Sequence, residues 1–116
     1  MPRTPKRLAG PVQVATGPAT IYTVPSSPIT KTIIRSIHVQ NPSASPVTLT
    51  LSIGASAAGT RLLDTYSIPA AAPGITGNVI DWFTYYIMET TEILQAAAGT
   101  NNVLVITIDG DECTLG

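Results

Sequence analysis

The chain predicts an all-β fold, an antiparallel sandwich built from about eight strands. Three observations lead to it. Apolar and polar residues alternate with the period of a half-buried strand, most clearly at Val47, Leu49, Leu51 and Ile53 against Thr48, Thr50 and Ser52. Ten prolines and nine glycines cut the 116 residues into short stretches, at the spacing of sandwich turns. Helical periodicity is nearly absent. Only residues 89–98 run long enough without a break, and Thr90, Thr91 and Ile93 there are β-branched, which favours a turn followed by a strand.

The elements follow in order. Residues 1–10 carry Arg3, Lys6, Arg7 and two prolines with almost nothing to bury, so they are expected to form an extended basic arm outside a single sandwich domain of residues 11–116. In an isolated monomer such a terminus is disordered; in an assembly its charges would meet acidic surface on another subunit, and high salt would weaken that contact first. Residues 11–14 are a weak edge strand. Residues 21–24 form the next, ended by Pro25 and Pro28. Residues 31–40 place Ile33, Ile37 and Val39 on one face and Ser36, His38 and Gln40 on the other, with Arg35 interrupting the apolar face.

A turn at Asn41, Pro42 and Pro46 leads into the 47–53 strand. Turns over residues 54–59 and 69–77 bracket a strand at 60–68. Strands at 79–88, 93–97 and 103–108 complete the main set, with turn residues at 99–102 and a weak edge strand at 112–115. Two packed antiparallel sheets in the manner of a jelly roll accommodate this series.

A chain of this length is one domain and buries roughly two thirds of its unfolded surface. Its charged fraction is 11%, against a usual ~25%. Few charges interrupt the surface, which suits a crowded assembly better than dilute solution. The charges are also divided along the chain. All six positive residues, Arg3, Lys6, Arg7, Lys31, Arg35 and Arg61, precede all seven carboxylates, Asp64, Asp81, Glu89, Glu92, Asp109, Asp111 and Glu112. These two portions must meet within one subunit or between subunits. Lys31, Arg35 and Arg61 are expected to be neutralised by strands carrying Asp64, Asp81 or Glu92, through exposed pairs contributing ~0–1 kcal/mol that orient more than they bind. The acidic portion would repel phosphate, which argues against nucleic acid as a partner.

No chemistry-bearing constellation emerges. Residues 54–60 have glycines at both ends of a loop after a strand, but lack the lysine and following helix of a phosphate-binding loop, so a plain turn is expected. Asp109, Asp111 and Glu112 lack the spacing of a calcium loop and read as a solvated turn. His38 lies on a polar strand face with no positioned nucleophile, and an exposed or interface histidine is expected. Cys113 is the single cysteine; it excludes an internal disulfide, lacks the positive surroundings that activate a thiolate, and receives no role. No catalytic, cofactor-binding or metal-binding residue is assigned, and no enzyme is expected. The basic start lacks the apolar run of a secretory leader, and no window approaches the ~20 apolar residues of a membrane span. The expectation is a soluble product made without a cleaved leader, with no membrane partner.

The 79–88 segment has large apolar groups on both faces. Ile80, Trp82, Thr84, Tyr86 and Met88 share one, while Val79, Phe83, Tyr85 and Ile87 share the other with Asp81. An ordinary sandwich strand hides one face, so the second requires a cover. Trp82, Phe83, Tyr85, Tyr86 and Ile87 are therefore expected at a subunit interface, together with Arg3, Lys6 and Arg7 of the arm. The alternative is a carbohydrate-binding module that attaches to a surface glycan through Trp82 and nearby tyrosines, although few polar side chains lie near to hold hydroxyl groups.

Lys6-Arg7-Leu8-Ala9-Gly10-Pro11, residues 19–25 (ATIYTVP), residues 34–39 (IRSIHV), Leu51-Ser52-Ile53-Gly54-Ala55, residues 57–62 (AAGTRL), and Leu94-Gln95-Ala96 with residues 103–110 together resemble small virion structural proteins of tailed bacteriophages. The resemblance covers about Lys6 to Gly110. It implies a β-sandwich subunit used in capsid decoration or as a neck or tail accessory, in trimers or larger rings, with other virion proteins as partners. It brings no catalytic residues. Residues and resemblance agree on a non-enzymatic, multi-copy building block of a virion, assembled after synthesis in the host cytoplasm.

Overall fold

Pairing of the alternating segments yields eight strands: β1 (Arg3–Gln13), β2 (Ala19–Thr23), β3 (Thr30–Gln40), β4 (Val47–Ile53), β5 (Arg61–Ile68), β6 (Val79–Met88), β7 (Ile93–Ala98) and β8 (Val105–Thr114). They come from a computed structural model describing residues 3–27, 29–55, 59–71 and 79–114. One sheet has the order β1-β8-β3-β6 and the other β2-β7-β4-β5, with every neighbour antiparallel. First pairs with last, second with seventh, third with sixth and fourth with fifth. A long antiparallel ribbon folded over itself produces this order, and it makes the sandwich a jelly roll.

Alternation on facing strands supplies the core. Leu49 and Leu51 of β4, Leu94 of β7, Ile34, Ile37 and Val39 of β3, Met88 of β6, and Ile106 and Ile108 of β8 pack together between the sheets. Each fully buried Leu, Ile or Met stabilises the fold by roughly 1.5–3 kcal/mol relative to exposure. Val14, Val24 and Leu104 close the ends from the connecting segments. The turn after β3 is organised by buried Asn41, whose amide donates to the carbonyls of Ser45, Ile68 and Pro69.

Three expectations require correction. The basic arm expected outside the domain is the first half of β1: Arg3, Thr4, Pro5, Lys6 and Arg7 lie in register with Cys113, Glu112, Asp111, Gly110 and Asp109 of β8. Side-chain burial gave no hint, because all five are exposed; backbone pairing and charge hold them. The solvated turn expected at residues 109–112 is the middle of β8, whose ladder to β1 and β3 runs through it unbroken from Asp109 to Cys113 on the β1 side. Strict alternation in β3 also fails. A register shift between Ile34 and Ser36 turns Arg35 outward with Ile33 and makes Ile34 a core residue. Thr84 of β6 donates to the Ile34 carbonyl at 2.7 Å, pairing a backbone group at the irregularity.

Two glycines permit the close approach of β1, β8 and β3. Gly10 has φ +78°, and a Cβ there would lie 2.1 Å from the Ile106 carbonyl oxygen. A Cβ on Gly110 would lie 2.1 Å from the Ile33 carbonyl oxygen and 2.9 Å from Leu8 Cδ1. The expected turns at residues 54–59 and 69–77, and Pro28, fall partly or wholly outside the described residues.

Candidate interaction face

Alternation along β6 decides what its aromatic residues do. Ile80 and Trp82 lie opposite Val39 and Ile37 of β3, facing inward, while Asp81, Phe83 and Ile87 lie opposite His38, Ser36 and Ile33, facing outward. Tyr85, between Phe83 and Ile87 on this alternation, carries the Arg35 guanidinium 5.8 Å from its ring centroid. The outer face of the first sheet thus bears a strip of Phe83, Tyr85 and Ile87, exposed by 85%, 61% and 54%.

The inward residues have different surroundings. Trp82 is half-buried and meets Tyr66 of β5 edge-to-face, with ring centroids 5.5 Å apart and planes at 79°. Tyr86 is 42% exposed beside them. Between β5 and β6 the sheets leave a groove of about 200 Å³, with Leu62, Leu63, Trp82 and Tyr86 at its sides and Ile37 and Leu51 beneath. Trp82, on which glycan stacking would depend, is therefore engaged by Tyr66 and the core, and Phe83 and Tyr85 are the aromatic rings turned outward.

The charged residues sort themselves beside this strip. Asp111 is buried on β8 between two guanidinium groups, with Arg3 Nε at 3.0 Å and Arg35 Nη1 at 3.6 Å. The hydrogen bond to Asp111, with its negative charge, raises the Arg3 pKa above its ordinary value. Lys6 lies 3.3 Å from Glu112, Lys31 3.3 Å from Glu89, and Arg61 3.3 Å from Asp64. The positive and negative portions of the chain therefore meet within one subunit. Of the expected partners, Asp64 serves Arg61; Asp81 instead holds His38, and a Glu92 carboxylate oxygen accepts from the Glu89 backbone N–H. For Arg3 and Lys6, β8 of the same chain supplies the acidic surface expected from another subunit. Arg7 is exposed at the register position opposite Asp109.

A separate polar chain joins the two sheets on the β1/β2 side. Tyr22 of β2 donates its hydroxyl proton to Glu112 Oε2, so the Thr32 hydroxyl, 2.8 Å away, donates to Tyr22. Burial, and then the bond to Glu112, push the Tyr22 pKa up from its ordinary value. Sequence reading missed this contact because its residues lie far apart in the chain and come together only when β2 and β8 stack. Arg35 was visible as a charge on an apolar face, the one local sign of the irregularity that turns it outward. Cys113 is buried, and among the described residues no group of three or more His, Cys, Asp or Glu is placed to hold a metal ion.

No family model matches the sequence, and no curated protein matches it. Solved structures do resemble the fold. A structure of Bacillus endospore appendages, described as disulfide-linked pili, aligns with 99% of this chain and 88% of its own at 14% identity and a TM-score of 0.50. The infectious bursal disease virus Gx strain aligns over 96% of this chain and 30% of its own, at 11% identity and a TM-score of 0.46. A chain of the cyanophage Pam1 capsid aligns over 95% and 80%, at 16% identity and a TM-score of 0.36. At 14% identity, the endospore appendage likeness speaks for the jelly-roll fold.

Proposed function

We propose that this chain is a structural, non-enzymatic subunit that works in many copies, and that its setting is the virion of a tailed bacteriophage, where it decorates or stabilises capsid, neck or tail. The observation that carries the reading is the outward strip of Phe83, Tyr85 and Ile87 on a rigid two-sheet scaffold. Apolar side chains of this size, left largely exposed on a strand, favour burial against another protein. The low charged fraction of 11% supports the same reading, because little on the surface opposes repeated contact. The virion setting rests on the sequence resemblance to phage structural proteins. The jelly roll contributes stiffness, its exposed strip contributes the contact surface, and Arg7, on the opposite edge strand β1, is a further exposed charge available to a partner.

Light scattering after size-exclusion chromatography at micromolar concentration tests assembly, and imaging of purified particles with the subunit labelled tests location. An oligomer and a label repeated regularly over the particle are expected. A monomeric mass combined with absence from particles overturns the proposal.

A further inference from the structure

The outer face of the β1-β8-β3-β6 sheet has a ridge and a trough side by side. Phe83, Tyr85 and Ile87 of β6 form the ridge, whereas their neighbours on β3 stand low: Ser36, opposite Phe83, is small, and Ile33, opposite Ile87, is buried. Arg35 lies between these two, with its guanidinium beside the Tyr85 ring. The register irregularity that β3 and β6 share here makes β6 a poor template for a further strand, yet it leaves the three ridge side chains exposed on the face. Each end of the face also carries one acid and one base. Lys31 of β3 lies 3.3 Å from Glu89, which follows β6, and His38 of β3 contacts Asp81 of β6. Both bases belong to the trough side and both acids to the ridge side, and all four side chains remain 43–60% exposed.

We infer that this face packs flat against the same face of a second copy of this chain, about a two-fold axis that runs along the strands midway between β3 and β6. The inference rests on the multi-copy reading above and identifies one of its contacts. Such an axis keeps every row of residues level and exchanges the two strands, so the ridge of each copy lies over the trough of the other. Ile87 then meets Ile33, Phe83 meets Ser36, and the Tyr85 ring meets Arg35 of the other copy. At the ends, Glu89 faces Lys31 and Asp81 faces His38 of the other copy. Aligned sheets pack about 10 Å apart, a gap that large side chains from one side and small ones from the other can fill. A two-fold axis across the strands would instead set ridge on ridge and Glu89 over Asp81. Shape and charge both select the first arrangement.

Area supports a second copy as the occupant, since face packing covers the whole ridge. With about 150–250 Å² for a buried aromatic side chain, the exposed parts of Phe83 and Tyr85, together with Ile87, amount to roughly 400 Å² per copy. With Arg35 and the charged end residues added, two copies bring about 1,000 Å² to the contact, which reaches the size of a specific interface. The face holds a counterpart for each of its own features, as a two-fold contact requires.

An exchange of charge tests the arrangement by sedimentation at low salt. In Lys31→Glu the new acid faces Glu89 of the other copy, and in Glu89→Lys the new base faces Lys31 of the other copy. Each variant alone is expected to associate about 10-fold more weakly than the wild type. An equimolar mixture of the two is expected to regain wild-type affinity, because a mixed pair again sets opposite charges across both contacts. The like-charged pair inside each subunit is the same alone and mixed, so recovery reports only the contact between copies. An oligomeric wild type whose variants associate as it does, or mix without recovery, overturns the face pairing, leaves the multi-copy reading standing and gives the strip to a different protein. A wild-type chain that is monomeric at high micromolar concentration overturns both.

Discussion

Where β1 meets β2, a run of polar contacts from Thr32 through Tyr22 to Glu112 and Lys6 ties the two sheets together, whereas between β5 and β6 the gap is lined by Leu62, Leu63, Trp82 and Tyr86 and stays open as a groove. Each side has two edge strands, yet their chemistry is opposite. On the first side, charge that could have reached outward is consumed inside the subunit. On the second, apolar surface is carried out to the edge and beyond it to Phe83. A jelly roll that seals one flank with its own side chains and leaves the other apolar has a preferred direction for contact. That direction follows from how residues are distributed, since both flanks share the same backbone plan.

The strongest way to break the sealed flank is at Gly110. A methyl group there meets the Ile33 carbonyl at 2.1 Å, and a backbone atom in a central ladder cannot move aside alone. Gly110→Ala is expected to cost about 3 kcal/mol, at the upper end for overpacking, by forcing β8 from β3 and Leu8 from the core. Urea unfolding measures it. Gly17→Ala, with open space around its Cβ, is the control and is expected to keep the wild-type midpoint. Equal midpoints for both variants would show that β8 and β3 are less closely apposed than the contrast between the flanks requires.

Legibility in the sequence followed a similar division. The β6 flank was readable because its information is local: alternation from Val79 to Met88 assigns Phe83, Tyr85 and Ile87 to one face without knowledge of any other strand. β4 was readable for the same reason. The sealed flank was not. Residues 3–7 bury nothing, so they resembled a free arm, and the Asp109–Glu112 run had the composition of a turn, yet each supplies a strand for the other. Charge pairing over more than 100 residues of sequence separation has no local period. The asymmetry of charge along the chain was its only trace, and that trace did not say whether the halves meet within or between subunits. Arg35 on the apolar face was the one local warning of the shift after Ile34.

A smaller perturbation sharpens the comparison through pH. Tyr22→Phe removes a hydrogen bond to a charged group and leaves the Thr32 hydroxyl without its acceptor, for an expected loss of about 2 kcal/mol at neutral pH. Because the folded state raises the Tyr22 pKa above its ordinary 10.0, the folded protein holds that proton more tightly than the unfolded chain. This contribution is complete below pH 10 and is lost as the pH rises above it. Wild-type stability should therefore fall more steeply than that of Tyr22→Phe in alkaline solution, and the two curves should converge. Parallel curves across pH 9 to 11 in denaturant titrations would remove Tyr22 from the seal.

The smallest expected change in folding belongs to the largest exposed side chain. Phe83 is 85% exposed, so its replacement removes little that the isolated subunit uses. Phe83→Thr retains a residue suited to a strand and is expected to alter the unfolding free energy of dilute protein by no more than ~0.5 kcal/mol. The same substitution should weaken association at least ~10-fold in sedimentation experiments, because a buried aromatic anchor carries much of the energy of a protein contact. The two measurements together separate a side chain kept for the fold from one kept for a partner. A loss of more than about 1 kcal/mol in dilute solution would mean that Phe83, which borders the β5/β6 groove, packs over it in its own subunit. Both flanks would then be sealed from within, and the contrast that directs assembly to β6 would disappear.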